Sequence, residues 1–313
     1  METSSHVDFS VVSPVYGCRA CLHELLQRLH EHLGTYTYEV ILVDDQSPDG
    51  AWEEIIACRQ NFHRVRGIRL SKNFGQHAAI QAGLELAKGE AVIVMDCDLQ
   101  DRPDQLPKLI EAFKQGYDAV LARRTYRADN WFKTFFSKTF YRLLSYLTET
   151  DIDPSIANYG IYSKKVVKAV LDMGDYVRFF PSMVSWVGFK TKAVDVEHGA
   201  RTAGKSSYSF GKLLRLGVNV IISFSDKPLR LLIKFGFFLV FLVLIAALIV
   251  LYKYLTGSIE VLGYTSLILS VWFIGGLTMS LLGLIGIYLG KAFDQVKERP
   301  VYIIAESTDD HKA

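Results

Sequence analysis

Two long runs without a charged residue, residues 235–252 and 261–290, constrain the architecture of this chain more than any other feature. Each run is long enough to cross about 30 Å of hydrocarbon as a helix. A core helix of a soluble domain is an alternative interpretation of one such run, but two in tandem favour the membrane. The sequence therefore predicts two transmembrane helices within residues 229–290, arranged as a hairpin.

Lysine and arginine residues flank the two runs on their outer sides, whereas the connecting segment 253–260 holds one lysine and one glutamate. The N-terminus opens with polar residues and not with a signal peptide. By the positive-inside rule, we expect a multi-pass protein of the cell (inner) membrane with both termini in the cytoplasm. The flanking basic residues are Lys212, Arg215, Lys227, Arg230, Lys234, Lys291, Lys297 and Arg299.

Charge and cysteine placement are consistent with this topology. The formal net charge is only +2 and the basic residues cluster near the apolar runs, which favours anionic lipid and not nucleic acid as a partner. All cysteines precede the apolar runs, so we expect reduced thiols, with Cys97 filling space between two aspartates. The four cysteines are Cys18, Cys21, Cys58 and Cys97.

Residues 1–125 alternate between strand and helix patterns, which predicts an α/β domain with a Rossmann-like, mostly parallel sheet covered on both faces. The strand candidates are residues 8–13, 39–44, 67–70, 91–96 and 118–122. The helix candidates are residues 19–33, 51–62, 76–88 and 104–115.

Residues 126–228 break this alternation. Residues 131–147 combine aromatic side chains with interleaved lysine and arginine, which is typical of an amphipathic helix on a membrane surface; packing on the sheet is the alternative. Residues 210–224 form a second candidate of this kind. We therefore expect an acceptor-binding region here, followed after the hairpin by a cytoplasmic tail, residues 291–313, with a short edge strand over 299–304.

A cluster of carboxylates follows the apolar run 91–95, with Asp96, Asp98 and Asp101 close together in sequence. Two other polar loops, residues 13–17 and 44–50, follow the first and second predicted strands. Because the carboxyl ends of parallel strands meet at one edge of a sheet, these loops are expected to converge. Grouped carboxylates repel one another unless a divalent cation or hydrogen-bond donors satisfy them. Helix capping and turn formation are the alternative for the second loop alone.

Four motifs stand out in the sequence: Ser-Pro-Val-Tyr (13–16), Val-Asp-Asp-x-Ser-x-Asp (43–49), Lys-Asn-Phe-Gly-Gln (72–76) and Asp-x-Asp-Leu-Gln-Asp-x-Pro-x-x-Leu (96–106). Together they resemble the motifs of family 2 glycosyltransferases of the GT-A fold, and within that family the polyprenyl-phosphate glycosyltransferases related to dolichyl-phosphate mannose synthase. The resemblance extends over nearly the whole chain, including the basic segment 201–208 and the hairpin. One departure is Gly17-Cys18, where relatives often carry Asn-Glu, so no role is assigned to either residue.

The resemblance implies a role for each site residue on the donor side. Asp98 and Gln100 would bind Mg²⁺ or Mn²⁺ on the nucleotide diphosphate, and Asp96 would hold the ribose or complete the metal site; these three form the catalytic set. Asp45 would accept hydrogen bonds from the base. The remaining nucleotide-binding residues are Pro14, Tyr16, Lys72, Asn73 and Gly75.

The acceptor side would hold a lipid phosphate with Arg123, Arg124, Arg201 and Lys205, for which solvated charge or headgroup contact is the alternative. A phosphate monoester is largely dianionic at pH 7, so no strong general base is required. His77 is expected to pack or to contact the donor phosphate. The family inverts the anomeric centre, which implies a β-linked product from an α-linked donor.

The implied activity is transfer of a sugar from a nucleotide sugar to undecaprenyl or another polyprenyl phosphate, for cell-envelope glycan or lipid modification. Uridine is the preferred nucleotide, with glucose, N-acetylglucosamine and galactose open. A processive polysaccharide synthase is one alternative, but a QxxRW motif and further spans are missing from the sequence. A non-catalytic membrane scaffold is the other. Small residues at Gly276/Ser280 and Gly286/Gly290 permit close helix packing, and we expect a homo-oligomer.

Overall fold

A computed structural model describes residues 6–124, 155–174, 179–197, 199, 227–256 and 263–309. The chain divides into two compact units. The first comprises residues 1–145, 150–210 and 300–313, and the second comprises residues 146–149 and 211–299. The predicted surface helices at 131–147 and 210–224, together with Arg201 and Lys205, lie outside the described residues.

Eight strands among the described residues of the first unit, numbered β1 to β8 in chain order, form one sheet with the order β7-β5-β6-β4-β1-β2-β3-β8. β3, β2, β1 and β4 run parallel to one another, and β7 runs parallel to β5. β6 is antiparallel to β4 and β5, and β8 is antiparallel to β3. The strands are β1 Phe9–Val15, β2 Tyr38–Asp44, β3 Val65–Leu70, β4 Ala91–Val94, β5 Ala119–Arg124, β6 Ile156–Ser163, β7 Thr191–Val196 and β8 Ile304–Ser307.

Every residue of β1, β2 and β4 is buried, as expected for central strands of a parallel sheet with both faces covered. α1 turns an unbroken leucine stripe towards this core, and every leucine of that stripe is buried. On α3, a Cβ added to Gly83 would lie 2.3 Å from Val12 Cγ1, so glycine permits the close approach of α3 to β1. The helices of this unit are α1 Leu22–Leu33, α2 Ala51–Asn61, α3 Gln76–Leu86, α4 Leu106–Lys114, α5 Lys164–Asp172 and α6 Phe180–Trp186.

The chain tail forms the outer strand of this sheet. β8 pairs antiparallel with β3, with Ile68 opposite Ser307. The strand begins at Ile304, where the predicted one ends, because the register is set by pairing with β3 and not by the apolar run 301–304. Beyond β8, Thr308 Oγ1 accepts a hydrogen bond from Gly67 N at 2.9 Å, which extends the attachment of the tail.

The second unit contains two long helices, α7 Lys227–Leu255 and α8 Tyr264–Val296, which contact each other. The two predicted apolar runs fall largely within them. Among the described residues, one segment, Ser270–Val296, is long and apolar enough to cross a membrane, and its most apolar window has no buried residue. The spanning role of α7, and with it the hairpin, stays a prediction.

Candidate active site

Three loops start at the same edge of the sheet because they follow three neighbouring parallel strands. β1 lies between β2 and β4, and Val15 at the end of β1 is opposite Asp44 at the end of β2. Asp45 N donates to Val15 O at 3.0 Å, which continues the ladder into the loop. The convergence predicted from the sequence is therefore present. The loops are the β1 loop (16–18), the β2 loop (45–50) and the β4 loop (95–102).

Asp45 holds the β3 loop (71–75), the segment that follows β3, at this edge of the sheet through hydrogen bonds. Its two carboxylate oxygens accept hydrogen bonds from the backbone N–H groups of Phe74 at 2.7 Å and Gly75 at 2.8 Å. Burial raises the pKa of Asp45, and these two N–H groups oppose the rise. Gly75 has a φ of 96°, a value that L side chains rarely adopt, so glycine lets the β3 loop present both N–H groups together.

A second set of hydrogen bonds ties the β1 loop to the β2 loop. Gly17 N donates to Ser47 Oγ at 2.6 Å, and Ser47 N donates to Asp44 Oδ1 at 2.9 Å. The side chain of Tyr16, beside Gly17, is 55% exposed at this edge of the sheet. Pro14, in contrast, lies buried within β1 opposite Val43. Of the two residues predicted to pack against a base, Tyr16 is therefore the accessible one.

Asp96 lies at the start of the β4 loop within a hydrogen-bonded cluster. Its Oδ1 accepts from Gln76 Nε2 at 2.6 Å, and its backbone N–H donates to Asp101 Oδ2 at 3.2 Å. Burial raises the pKa of Asp96 to about 7, and the negative charges of Asp101 and Asp98 add to the rise, whereas Arg124 and the Gln76 hydrogen bond oppose it. Gln76 is the first residue of α3, so this contact links the β3 and β4 loops.

Side chains of the β4 loop alternate between the interior and the open edge. Cys97 and Leu99 are buried, whereas Asp98 and Gln100 are partly exposed. Asp98 Oδ1 accepts from Gln100 N at 3.1 Å, and Leu99 has a φ of 62°, so the backbone turns sharply between them. The loop thus presents a carboxylate and an amide together at the open edge.

These oxygen donors fit a divalent cation that shares its ligands with a phosphorylated substrate. Among the described residues, no group of three or more His, Cys, Asp or Glu side chains could hold a metal ion alone. Mg²⁺ is commonly bound through one or two carboxylates plus substrate phosphates, and Mn²⁺ accepts the same oxygen ligands. Asp98, with Gln100 beside it, matches that arrangement.

The expectation that all four cysteines are reduced is wrong in this structure. Cys18 in the β1 loop and Cys97 in the β4 loop form a disulfide with their Cα atoms 6.4 Å apart, whereas Cys21 and Cys58 are buried and are not disulfide-bonded. Cys97 does lie buried between the two aspartates in sequence, but it reaches across the edge instead of only filling space. The sheet brings the two together, since β1 and β4 are neighbours.

Two of the arginines predicted to bind acceptor phosphate, Arg123 and Arg124, have carboxylate partners in the structure. Arg124 Nη2 lies 3.2 Å from Asp101 Oδ1, next to the Asp96 cluster. Arg123 makes an ion pair with Asp195 on the adjacent strand β7. The structure thus places Arg124 next to the β4 loop and Arg123 against β7.

Two further predicted residues have contacts of their own. Lys72 Nζ lies 4.9 Å from the centre of the Phe74 ring, within the β3 loop; Asn73 beside it is exposed. The His77 ring packs edge-on against Phe179 with ring centres 5.0 Å apart. Burial lowers the pKa of His77 to about 4, so it is neutral at pH 7. The packing role expected for His77 agrees with this geometry.

Sequence reasoning missed contacts that join distant segments at this edge. Arg69 on β3 lies 3.4 Å from Asp44 Oδ2 and also pairs with Glu306 on β8. Gln76 and Asp101, quoted in the motifs, received no separate role. The signal that could have indicated Arg69 is a basic residue in an otherwise apolar predicted strand, one strand away from the acidic β2 loop.

Comparison with known proteins agrees with this geometry. A chain fold of the same kind occurs in glucosyl-3-phosphoglycerate synthase from Mycobacterium tuberculosis in complex with Mn²⁺ and uridine-diphosphate-glucose. The TM-score is 0.50 at 16% identity, with 71% of this chain and 79% of that chain covered. This likeness supports a GT-A-like α/β fold.

Relatives match over nearly the full length. An uncharacterized glycosyltransferase of Synechocystis is 34% identical, with 96% of this chain and 95% of the relative covered. The undecaprenyl-phosphate 4-deoxy-4-formamido-L-arabinose transferase of Photorhabdus laumondii is 34% identical, covering 97% and 95%. A bactoprenol glucosyl transferase of Shigella flexneri, derived from prophage SfII, is 32% identical, covering 95% and 97%. The model of glycosyl transferase family 2 matches residues 10–171, and this chain belongs to that family.

Proposed function

We propose that this glycosyltransferase moves a sugar from a UDP-sugar to undecaprenyl or another polyprenyl phosphate at the cytoplasmic face of the cell membrane. The observation that carries the proposal is the edge of the sheet where Asp98 and Gln100 are partly exposed and the β1 and β2 loops converge with the β4 loop. Relatives named for undecaprenyl-phosphate and bactoprenol transfer, which match this chain over nearly its whole length, support the lipid acceptor.

The donor nucleotide would lie across the β1, β2 and β3 loops. The exposed ring of Tyr16 offers a flat apolar surface for a base. Each oxygen of Asp45 holds one backbone N–H group and retains a second lone pair, with which it can accept from the base. Lys72 and Asn73, exposed on the β3 loop, are the remaining polar groups for the nucleotide. Pro14 supports the loop from inside the sheet.

Asp98 and Gln100 would hold Mg²⁺ or Mn²⁺ together with the donor diphosphate. When bound, the cation stabilises the negative charge that develops on the diphosphate as it leaves. Asp96, held by Gln76 and the Asp101 cluster, would bind the ribose or complete the metal site.

The reaction we propose is a single in-line displacement. A phosphate oxygen of the lipid attacks the anomeric carbon, a new carbon–oxygen bond forms, and the bond from that carbon to the diphosphate breaks with its electron pair on the diphosphate. The configuration inverts from α to β. The lipid phosphate is already largely dianionic at pH 7, so the chain need supply no strong base.

Cations that could hold the lipid phosphate are Arg123, Arg124, Arg201 and Lys205. Arg124 serves two needs, because it offsets the charge of Asp101 and lies next to the donor loops. Arg123 would exchange Asp195 for phosphate when the acceptor binds.

For the membrane we propose that both α7 and α8 span the bilayer and that both termini are cytoplasmic. Their basic flanks and apolar centres carry this assignment. The proposed organisation is residues 1–125 for donor binding, 126–228 for acceptor binding, 229–290 for the spans and 291–313 for the tail, in a homo-oligomer.

The proposal is tested with purified full-length protein, undecaprenyl phosphate, a panel of UDP- and GDP-sugars, and Mg²⁺ or Mn²⁺. Transfer of one labelled sugar to the lipid is expected. Asp98→Asn is expected to reduce the rate at least about a hundredfold, because it removes the charged ligand that supports the departing diphosphate. Asp8→Asn is the matched control, since Asp8 contacts Thr37 at the opposite edge of the sheet. Absence of lipid-linked sugar with every donor, or full activity of the Asp98 variant, would refute the proposal.

A further inference from the structure

The tail strand β8 carries a carboxylate that reaches the donor loops through one arginine. We infer that Glu306 and Arg69 are positioning residues for the donor nucleotide. The tail strand β8 thereby contributes to nucleotide binding. This inference rests on the function proposed above, and it extends the site to residues that touch no substrate.

The contact between tail and site runs through Arg69. Arg69 Nη1 lies 3.1 Å from Glu306 Oε1, and Arg69 Nε lies 3.4 Å from Asp44 Oδ2. One guanidinium thus joins two carboxylates that are far apart in sequence. Because the fork of an arginine is rigid, holding one end at Glu306 sets the position of the end that faces Asp44.

Asp44 connects Arg69 to the β2 loop and, through it, to the β1 loop. Its side chain has no exposed surface, and its Oδ1 accepts from Ser47 N in the β2 loop. Ser47 Oγ in turn accepts from Gly17 N, the residue after Tyr16. The position of the proposed base platform therefore depends on Asp44 remaining charged and in place.

A buried carboxylate needs this arginine. The pKa of Asp44 is raised to about 6, chiefly by burial and also by the charges of Asp49 and Asp45, whereas the Ser47 N–H group and Arg69 oppose the rise. Without a fixed cation, a fully buried aspartate would gain a proton or move, and Ser47 would lose a charged acceptor.

Glu306 also holds the far end of the β2 loop. Its Oε2 accepts a hydrogen bond from Trp52 Nε1 at 3.0 Å. Trp52 is buried and is the second residue of α2, which begins directly after the β2 loop. Glu306 therefore restrains the β2 loop on both sides. It acts through Arg69 on Asp44, which precedes the loop, and directly on Trp52, which follows it.

A neighbouring carboxylate in the same tail supplies the matched control. Asp309 pairs with Arg59 at 3.4 Å and with Arg66 at 2.9 Å. Among the described residues, neither of these arginines makes an ion pair with Asp44, Asp45 or Asp49. Asp309→Asn thus weakens attachment of the tail without altering the contacts of Arg69.

The test compares full-length wild type, Glu306→Gln and Asp309→Asn in detergent. Binding of UDP, GDP, CDP and ADP is measured calorimetrically with Mn²⁺, followed by transfer kinetics with the donor that gives lipid-linked sugar. Glu306→Gln is expected to raise both the Kd of the preferred nucleoside diphosphate and the donor KM about tenfold, the effect of weakening one charge-assisted contact. The value of kcat is expected to stay within about twofold, because no group that touches the reacting atoms changes. Asp309→Asn is expected to match wild type.

Arg69→Lys provides a second variant in case Glu306→Gln does not fold. It keeps the positive charge but loses the fork that spans Asp44 and Glu306, so the same rise in Kd is expected. Equal Kd values for wild type and Glu306→Gln, an equal rise in the Asp309 variant, or a fall in kcat alone would overturn the inference. If wild type binds none of the four nucleotides, the proposed function itself fails, and this inference fails with it.

Discussion

Breaking the disulfide between Cys18 and Cys97 is expected to destabilise the sheet-containing unit. The bond closes a loop between residues 79 positions apart. In the chain-entropy description, closing a loop of that length contributes about 4.5 kcal/mol at 25 °C by restricting the unfolded chain. For a domain of roughly 200 residues, each kcal/mol corresponds to about 2–4 °C, so reduction is expected to lower the Tm by about 9–18 °C.

The same bond affects the proposed donor site because it joins two of its loops. Cys18 is two residues from Tyr16, and Cys97 lies between Asp96 and Asp98. Both cysteines are buried, so reductant acts on the folded protein only when these loops open. The loss of stability is therefore expected to begin at the site and to be slow in mild reductant.

The assay is scanning fluorimetry of the full-length protein in detergent, purified without reductant and measured with and without dithiothreitol. A Cys18→Ala/Cys97→Ala variant is the control, and its Tm is expected not to respond to dithiothreitol. Thiol titration in denaturant is expected to find two reactive thiols, Cys21 and Cys58, before reduction. Because disulfides are rare in cytoplasmic domains, this thiol count is a necessary part of the test. Four reactive thiols, or equal shifts in wild type and control, would refute the reasoning.

Local sequence patterns predicted the central part of the fold. The second strand was predicted at 39–44 and forms at Tyr38–Asp44; the third helix was predicted at 76–88 and forms at Gln76–Leu86. Apolar strands and amphipathic helices can be predicted from the sequence because burial imposes a regular spacing of apolar residues over a short stretch of chain. β1 extends past its predicted end, through Pro14 to Val15, because pairing with β2 holds residues that read locally as a turn.

The strands that follow the alternating region could not be predicted in the same way. β6 Ile156–Ser163 inserts between β4 and β5 and runs antiparallel to both. β7 Thr191–Val196 lies at the sheet edge and is mostly not buried, so its sequence carries little apolar alternation. Their positions depend on partners far along the chain, which a periodicity pattern does not record.

For the candidate site, likewise, one part could be predicted from the sequence and another could not. Convergence of the β1, β2 and β4 loops followed from the rule that ligand loops sit at the carboxyl ends of parallel strands. Which side chains pair at that edge did not follow. The Arg69–Glu306 contact joins residues 237 positions apart, and it exists only because β8 returns to β3. Such pairs require the sheet order, which the sequence patterns leave open.

Three further predictions test the packing and charge of this edge. Asp45→Asn is expected to raise the Kd for UDP about tenfold in calorimetry, because an amide cannot accept the N–H groups of both Phe74 and Gly75. Gly83→Ala is expected to lower the free energy of unfolding by about 1–3 kcal/mol in denaturant titration, because the added methyl would lie 2.3 Å from Val12 Cγ1. The last concerns Asp44, whose pKa burial raises to about 6. A raised pKa means that the folded state binds the proton more tightly than the unfolded state, so this contribution to stability is complete below about pH 4 and is lost as the pH rises through 6. Relative to Asp44→Asn, which does not titrate, wild type is therefore expected to lose up to about 3 kcal/mol between pH 4 and pH 7. Tm values of both proteins across this range measure the difference, and a constant gap would mean that Arg69 and Ser47 N fully offset the burial of the charge.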